Sequence, residues 1–300
     1  MKGLLIAIGV AAAVLLFPGS IPRSLASDRL NICVVNYPLK YFAERIGGDH
    51  VSVILPIPRD VDPAYWTPDV ATIAALQKAD LIFLNGAGYA GWVDKVSLPL
   101  SRVVNTSKAF SDRYLTSKAE VTHSHGPTGE HTHENLAFTT WLDFDLAARQ
   151  AEAVATALSR KNPAYKEMFT QNFQPLKDEL KSLDAAMSRA ASRAPETPLI
   201  ASHPVYDYLV HRYRLNLKSV HWEPHEFPRP KQWLELQEHL TTHPATCMIW
   251  ESQPLAEIEE KLHTLGLKCV VFDPCGNVPE AGDFLTVMQQ NAENLRAVFK

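Results

Sequence analysis

The sequence has no excess of either charge and is poor in cysteine, and both properties exclude a class of protein. Its 29 Lys and Arg residues nearly balance 33 Asp and Glu residues, with no basic run or stripe. A nucleic-acid-binding surface concentrates positive charge, so nucleic acid is not an expected partner. Four cysteines permit a disulfide but do not define a disulfide scaffold. Cys33 lies in an apolar segment, so a bridge would join two of Cys247, Cys269 and Cys275.

Motifs of common hydrolases and nucleotide-binding enzymes are also absent. The sequence contains no His-Glu-x-x-His, no Gly-x-Ser-x-Gly and no glycine-rich phosphate loop. A zinc hydrolase needs three ligands, an open coordination position and a nearby general base. His203 and Glu251 could serve acid–base chemistry, but nothing positions a nucleophile beside them. We therefore expect a protein that is not an enzyme, with a zinc-dependent hydrolase as the weaker alternative.

The apolar run near the start of the chain is too short to span a membrane. It covers residues 4–17, about fourteen residues, whereas a transmembrane helix needs about 20. Lys2 precedes the run and a polar segment that ends in Ser24-Leu25-Ala26 follows it, which is typical of a secretory signal peptide cleaved after Ala26. Cys33 follows Ile32 rather than a small residue, so no lipid anchor is expected. We predict that residues 1–26 are removed and that the mature chain is periplasmic.

Histidine, by contrast, is concentrated in one segment. Four of the twelve histidines fall within eleven residues, as two His-x-His pairs: His123, His125, His131 and His133. Gly126, Pro127 and Gly129 separate the pairs and prevent a regular helix or strand. Neutral imidazoles bind Zn²⁺, Ni²⁺ and Cu²⁺. The segment 121–135 is therefore predicted to be a His-rich loop that contacts metal, with an ordinary solvated loop as the alternative.

The pattern of apolar segments predicts an α/β fold with two lobes. Short β-branched segments alternate with segments of helical periodicity, which favours mostly parallel sheets flanked by helices. About four such units lie on either side of residues 161–194, where apolar residues recur at helical spacing. A helix of roughly 30 residues is about 45 Å long and can join two lobes rigidly. The predicted organisation is an N-terminal lobe over 27–160, a linking helix over 161–194 and a C-terminal lobe over 195–300, each lobe with a four-stranded sheet.

Several motifs occur along the mature chain in a fixed order. Besides the His-rich loop they are Val61-Asp62-Pro63 with Thr67-Pro68-Asp69-Val70, Ala79-Asp80-Leu81-Ile82-Phe83-Leu84-Asn85-Gly86, Trp141-Leu142-Asp143, His203 with Tyr206 and Tyr208, Trp250-Glu251-Ser252, and Phe272-Asp273-Pro274. This ordered set resembles the solute-binding proteins of zinc and manganese ABC transporters. The resemblance implies two α/β lobes joined by one rigid helix, with a divalent metal ion captured between them. It also implies delivery of that ion to an ABC transporter permease, and we expect a monomer.

The resemblance further implies four ligand positions, of which this chain keeps two. His203 and Asp273 match the family, whereas Ala64 and Thr139 stand where the family has histidine. A histidine at the position of His203 resembles the zinc branch, because manganese binders tend to carry Glu there. Zn²⁺ is therefore the expected transported ligand, with Mn²⁺ or another divalent transition metal as the alternative.

Two ligands would hold zinc poorly, because protein zinc sites usually use three or four. The explanation we favour is that His131 or His133 supplies the missing ligands, since the loop directly precedes Thr139. A second explanation takes ligands from the second lobe, from His221, Glu223 or His225. In the third, the pocket has lost free-metal binding and holds a metal chelate or another solute.

Two further side chains near these motifs have alternative roles. Glu251 ends a predicted strand and could ligate the metal, orient His203 or cap the following helix. The Cys275 thiolate would be a good zinc ligand, but a disulfide or an inert buried thiol is favoured in an exported protein. The predicted metal-site residues are His203, Asp273, His131, His133 and Glu251, with His123 and His125 as additional metal-binding positions.

Overall fold

The computed structural model describes residues 29–117 and 136–299 of the chain. The predicted signal peptide and the predicted His-rich loop, with its four histidines, lie outside these residues. Within the described ranges the chain forms two four-stranded parallel sheets flanked by helices, which confirms the predicted fold class.

The first sheet has the strand order β2-β1-β3-β4, and each neighbouring pair is parallel. Its strands and the helices that connect them are β1 (Leu30–Val34), α1 (Tyr37–Gly47), β2 (Val51–Ile54), α2 (Val70–Lys78), β3 (Leu81–Leu84) and β4 (Val103–Asn105). The register places Cys33 opposite both Ile54 and Ile82. Carboxyl ends of parallel strands meet at one edge of a sheet, so the long loop after β2 and the loop after β3 lie at the same edge.

The second sheet repeats this topology with the order β6-β5-β7-β8, again parallel throughout. Its elements are β5 (Leu199–Ala201), α5 (Asp207–Tyr213), β6 (Leu217–Ser219), α6 (Pro230–Thr242), β7 (Cys247–Trp250), α7 (Ala256–Thr264), β8 (Lys268–Val271) and α8 (Phe284–Val298). Short 3-10 helices occur elsewhere in the described ranges, at Gly48–His50, Val93–Lys95, Lys108–Arg113, Thr140–Leu142 and Pro163–Tyr165.

Two long helices, α3 (Phe144–Lys161) and α4 (Lys166–Ala191), connect the sheets along the chain. Helix α4 has 26 residues, which corresponds to roughly 39 Å at 1.5 Å per residue. Its apolar side chains recur every three or four residues and are buried: Phe169, Phe173, Leu176, Leu180, Leu183 and Met187. They pack against α3, α1 and α8. One continuous helix therefore contacts elements of both lobes, as the helical spacing predicted.

One hydrophobic core extends through both lobes, and a second lies on the far face of the second sheet. Phe284 of α8 packs edge-on against Phe42 of α1, with ring centroids 5.5 Å apart. In the second sheet Ile249 points into the shared core, while Met248 and Trp250 point into the second core. Successive side chains of a strand alternate between faces. Both faces of this sheet are thus buried, as its continuous apolar strands indicate.

Two aspartates in the ordered motifs serve the fold as helix caps. Asp69 accepts a hydrogen bond from the Thr72 N–H at 2.7 Å and begins α2. Asp143 is buried and accepts from the Leu146 N–H at 3.3 Å at the start of α3. Arg212 of α5 approaches the same carboxylate to 3.7 Å. Asp143 therefore also joins the first lobe to the second.

All four cysteines are free thiols, so no disulfide links any two of them. Cys247 belongs to the shared core, whereas Cys269 packs against the second core. The two side chains lie on opposite faces of neighbouring strands, which cannot be bridged without moving the backbone. None of the helices in the described ranges is long and apolar enough to cross a membrane.

Candidate metal centre

Four polar side chains of the second lobe lie in the loops that follow its four strands. His203 comes two residues after β5, Glu223 follows β6, Glu251 directly follows β7, and Asp273 comes two residues after β8. The carboxyl ends of parallel strands meet at one edge, where ligands of open α/β sheets bind. The topology therefore brings an imidazole and three carboxylates to one edge of the second sheet.

His203 has a carboxylate beside each of its ring nitrogens. Nδ1 lies 3.2 Å from Oε1 of Glu251, and Nε2 lies 3.9 Å from Oε1 of Glu223. The Glu251 contact is an ion-pair contact rather than a well-directed hydrogen bond, and Nδ1 has no other partner among the described residues. Burial acts to lower the pKa of His203, but Glu251, Glu223 and Asp62 together raise it above its ordinary value of 6.5.

Glu251 does not cap the following helix, so that alternative is wrong. Helix α7 begins after Leu255, four residues beyond Glu251, and no side chain caps it. The backbone extends away from β7 first, because Pro254 precedes that cap position and disfavours helical geometry in the residue before it. The side chain of Glu251 is left beside His203.

Asp273 is held by its own loop and by the last helix. Its Oδ1 accepts from the Cys275 N–H at 2.6 Å. Asn291 of α8 accepts from the Asp273 N–H at 3.1 Å and donates to the Asp273 carbonyl at 2.7 Å. Burial is the main reason why the pKa of Asp273 is raised, and the charges of Glu251 and Glu280 add to it. The sequence offered no signal for Asn291, which is a polar residue on an amphipathic helix.

Cys275 lies next to the site but is poorly suited to bind metal. The residue is buried, and its backbone has a φ of +58°. Burial raises the pKa of its thiol well above the ordinary value, with a further contribution from Asp273. Metals bind the thiolate, which this environment disfavours. The inert buried thiol favoured from the sequence agrees with this environment.

The two first-lobe positions that lack histidine are buried and occupied by small side chains. Ala64 and Thr139 are 9% and 4% exposed. The Thr139 hydroxyl donates to the Val205 carbonyl at 2.6 Å, two residues beyond His203. Thr139 therefore ties the first lobe to the second, at the position where the family resemblance implies a ligand.

Aromatic side chains surround these two positions in the first lobe. Phe138 packs edge-on against Tyr65 and Tyr89, with centroids 6.3 and 5.3 Å away. Tyr65 is 64% exposed, but the protein around its hydroxyl partly desolvates that group and raises its pKa, and the charges of Asp62, Glu251 and Glu223 add to the increase.

Asp62 is a carboxylate in the loop after β2 that the sequence did not single out as a candidate ligand, although it belongs to the motif Val61-Asp62-Pro63. Its Oδ1 accepts from the Ala64 N–H at 2.8 Å. Its side chain keeps an exposed face, yet the surrounding protein desolvates the carboxylate and raises its pKa. Glu251 and Glu223 raise that pKa further, and His203 lowers it. Its position in the loop after β2, at the carboxyl edge of the first sheet, could have identified Asp62 as a candidate.

The described residues bring part of the predicted site together. His203, Glu251 and Glu223 are neighbours, and the ring of His221 lies 5.9 Å from that of His203. His225 is exposed in the same loop. In residues 29–117 and 136–299 no three His, Cys, Asp or Glu side chains are arranged to hold one metal ion. Further ligands are needed to complete a zinc site.

The two ends of the His-rich segment are anchored beside this edge of the second lobe. Thr116 and Leu136 form an antiparallel bridge, and the Ala137 N–H donates to the Leu115 carbonyl at 2.8 Å. The Leu115 N–H donates in turn to the Tyr208 hydroxyl at 3.3 Å. Residues 115–117 and 136–139 therefore form a stem that contacts α5, close to His203.

The family model and the similar known proteins agree with one another. The family model described as ZnuA, zinc-uptake complex component A, periplasmic, matches residues 32–298. The zinc-binding lipoprotein AdcA of Streptococcus pneumoniae is 28% identical over 284 residues, 90% of this chain and 56% of AdcA. The high-affinity zinc uptake system protein ZnuA of Bacillus subtilis is 25% identical over 90% of this chain and 87% of its own. The chain thus spans about half the length of the AdcA relatives.

Solved structures share the fold. The metal-dependent lipoprotein YcdH from Bacillus subtilis superposes with a TM-score of 0.76 at 21% identity, over 90% of this chain and 98% of that one. Zn(II)-bound AdcA from Streptococcus pneumoniae superposes with a TM-score of 0.76 at 22% identity, over 90% of this chain and 57% of that one. Because the family model covers nearly all of the described chain, this protein belongs to the ZnuA family of zinc-uptake complex components.

Proposed function

We propose that this protein captures a zinc ion in the cleft between its lobes and delivers it to the permease of an ABC transporter. The observation that carries the proposal is His203, which has a carboxylate beside each ring nitrogen at the carboxyl edge of the second sheet. An imidazole among carboxylates is a suitable ligand for a divalent transition metal. Zinc is the ion named in the AdcA and ZnuA relatives.

Each second-lobe side chain has a distinct role in this proposal. Nε2 of His203 and the carboxylate of Asp273 bind the ion. Glu251 lies on the Nδ1 side of the ring, 3.2 Å away, and therefore orients His203 instead of binding zinc itself. Carboxylates that contact the second nitrogen of a metal-bound histidine fix the ring and raise its basicity.

Ligands from the His-rich loop complete the site. His133 is three residues from Leu136, where the anchored stem begins. Because an extended chain covers about 3.3 to 3.6 Å per residue, His133 can reach about 11 Å from Leu136 and His131 about 18 Å. This reach, together with the contact between the stem and α5, supports either imidazole as a ligand beside His203. We assign His123 and His125 to weaker sites that hold additional metal.

The protein acts outside the cytoplasm, as its family description states. We propose that residues 1–26 are cleaved as a signal peptide and that the mature chain is a monomer without a lipid anchor. The absence of a small residue before Cys33 supports this, although AdcA and YcdH are named lipoproteins. Mass spectrometry of the exported protein should show a start near Ser27, and a lipid on Cys33 would contradict it.

Isothermal titration of the metal-stripped protein with Zn²⁺ tests the function. We expect one tight site per chain, and His203→Ala should weaken it by at least about a hundredfold, because zinc sites depend on three or four ligands. His263→Ala is the matched control, because His263 is exposed on α7. This control should bind zinc like the wild type.

Wild-type protein that binds no zinc would contradict the free-ion function. The titration should then be repeated with Zn²⁺ held by a small organic chelator. Binding of the chelate but not of the free ion would indicate that the cleft takes a complexed metal, as the aromatic first-lobe surface around Tyr65 and Phe138 would allow.

A further inference from the structure

A buried tryptophan of the first lobe holds the loop that carries Asp273. Nε1 of Trp141 donates to the Pro274 carbonyl at 2.7 Å, and its ring packs edge-on against Tyr89 of the first lobe, with centroids 5.6 Å apart. We propose that Trp141 is a positioning residue for Asp273, so that the first lobe sets the geometry of a ligand that the second lobe supplies. This inference rests on the proposed function, because it takes Asp273 as a ligand of the zinc ion.

One planar peptide group connects Trp141 with the carboxylate of Asp273. The carbonyl of Pro274 and the N–H of Cys275 belong to this same group. The carbonyl accepts from Trp141, while the N–H donates to Oδ1 of Asp273 at 2.6 Å. Because a peptide group is planar, the two hydrogen bonds act on one rigid unit, and each polarises the other. The orientation of the Asp273 carboxylate, whose Oδ2 is left for the ion, therefore depends on Trp141.

The backbone of Cys275 shows why this turn needs support from outside. Its φ of +58° lies in the left-handed region, which is unfavourable for a residue with a Cβ atom. The carbonyls on both sides of Cys275 accept from first-lobe donors. Pro274 accepts from Trp141, and Gly276 accepts from the backbone N–H of Tyr37 at 2.8 Å. The first lobe thus holds the strained residue from both sides.

The same loop has a further attachment to the first lobe at Asn277. Its Nδ2 donates to the Pro58 carbonyl at 2.7 Å and to the Val61 carbonyl at 2.9 Å, both in the loop after β2. Within the second lobe, Asn291 holds the backbone of Asp273 itself. The loop therefore begins on its own lobe and is attached to the first lobe at residues 274, 276 and 277. A displacement of the first lobe would be transmitted to Asp273.

Trp233 forms the same kind of hydrogen bond in the second core and provides a matched control. Its Nε1 donates to the Pro228 carbonyl at 3.0 Å. Trp141 and Trp233 are both buried, at 1% and 5% exposure. Replacing either by Phe keeps an aromatic ring and removes one buried donor. The two substitutions should therefore lower stability by similar amounts, whereas only Trp141→Phe releases the loop of Asp273.

Zinc titration of the metal-stripped variants tests the inference. Trp141→Phe should weaken zinc binding by about tenfold, the lower end of the range for residues that support a metal ligand. Trp233→Phe should bind zinc like the wild type, although thermal melts should show similar losses of stability in both variants. Amide hydrogen exchange of residues 275–279 in the metal-free protein should be faster in Trp141→Phe and unchanged in Trp233→Phe.

Failure of this inference is distinguishable from failure of the proposed function. If Trp141→Phe binds zinc like the wild type, or if both tryptophan variants lose affinity equally, then Trp141 has only a structural role. The loss expected for His203→Ala would then still support the proposed function. A wild type that binds no zinc would overturn both.

Asn277→Ala tests the same attachment if Trp141→Phe does not fold. It should weaken zinc binding by about fivefold, which corresponds to the typical net contribution of one hydrogen bond. Asn216→Ala is its control, because Asn216 donates from its side chain to the Glu196 carbonyl at 3.1 Å, at an exposed position of the second lobe. Equal affinities of Asn277→Ala and Asn216→Ala would overturn the inference.

Discussion

The two lobes share one topology but present different chemistry to the cleft. The second lobe contributes His203, Glu223, Glu251 and Asp273, all in loops that directly follow its strands. The first lobe presents Ala64 and Thr139 where ligands are expected, with Tyr65 and Phe138 around them. The difference shows that the same parallel sheet can carry a cluster of imidazole and carboxylate side chains at its edge or a mostly apolar surface. A few loop residues determine which of these two surfaces a lobe presents, and the fold is the same in both lobes.

The lobes also differ in what the side chains at the expected ligand positions contact. In the second lobe, each ring nitrogen of His203 faces a carboxylate. In the first lobe, Thr139 uses its hydroxyl to bond the Val205 carbonyl. At this position, where the family resemblance implies a ligand, the side chain therefore forms a hydrogen bond that joins the lobes. Four predictions, from the largest expected effect to the smallest, test whether the asymmetry is functional.

Deletion of the His-rich loop should have the largest effect. We expect removal of residues 122–134 to abolish tight zinc binding as severely as His203→Ala, because the described residues alone place no three donor side chains around one ion. Zinc titration measures this. A control variant with His123 and His125 replaced by Ala, leaving His131 and His133, should lose only weak extra sites.

Retention of the tight site after the full deletion would contradict the role of His131 and His133. The first lobe would then contribute less than proposed. His221 and Glu223, which lie beside His203, would become the leading additional ligands.

Replacing Glu251 by Gln should weaken zinc binding by about ten- to a hundredfold, the range typical of a residue that orients a metal ligand. The expected effect is smaller than that of His203→Ala, because Glu251 faces Nδ1 and leaves Nε2 for the ion. Glu257→Gln, at an exposed position of α7, is the control. A loss equal to that of His203→Ala would show instead that Glu251 binds the ion directly.

As the pH falls, zinc binding should begin to weaken at a higher pH than it would with a histidine ligand of ordinary pKa. Because the pKa of His203 is raised above 6.5, its protonated form, which cannot bind metal, is populated at higher pH. Below that pKa the affinity should fall about tenfold per pH unit for each proton displaced. Titrations between pH 8 and pH 6 measure the slope, and in Glu251→Gln the onset should move to lower pH. An onset unchanged by that substitution would contradict the assigned cause.

The smallest effect is expected from Thr139→Val, which removes the hydroxyl that bonds the Val205 carbonyl at 2.6 Å. We expect a loss of about 1 kcal/mol in the free energy of unfolding, the typical net contribution of one hydrogen bond. Urea denaturation of the metal-free protein measures it. Thr170→Val, on the exposed face of α4, should change stability by less than about 0.5 kcal/mol. Equal stabilities of Thr139→Val and the wild type would show that this bond does not stabilise the contact between the lobes.

Much of the fold could be predicted because it depends on local patterns. Alternating apolar segments predicted both sheets, and the helical spacing across Phe169 and Met187 predicted the long helix. The family recognised from the ordered motifs is confirmed, because the model of a zinc-uptake complex component matches residues 32–298. His203, Glu251 and Asp273 could be placed at one edge because each follows a strand of the same sheet.

The remaining features depend on contacts between distant parts of the chain. Asn277 and Val61 are 216 residues apart in sequence, so no local pattern connects them or the position of Asp62. Asn291 supports Asp273 from a helix on which most of the other polar residues face solvent. The capping role considered for Glu251 was wrong because the start of α7 depends on backbone geometry around Pro254 and Leu255.

The coordination shell of the bound ion tests the central claim most directly. A crystal structure of the zinc-bound wild-type protein should show Nε2 of His203 and Asp273 around the ion, with His131 or His133 completing the coordination shell and Glu251 beside Nδ1. A shell without His203 and without any first-lobe residue would contradict the account of a site shared between two unequal lobes.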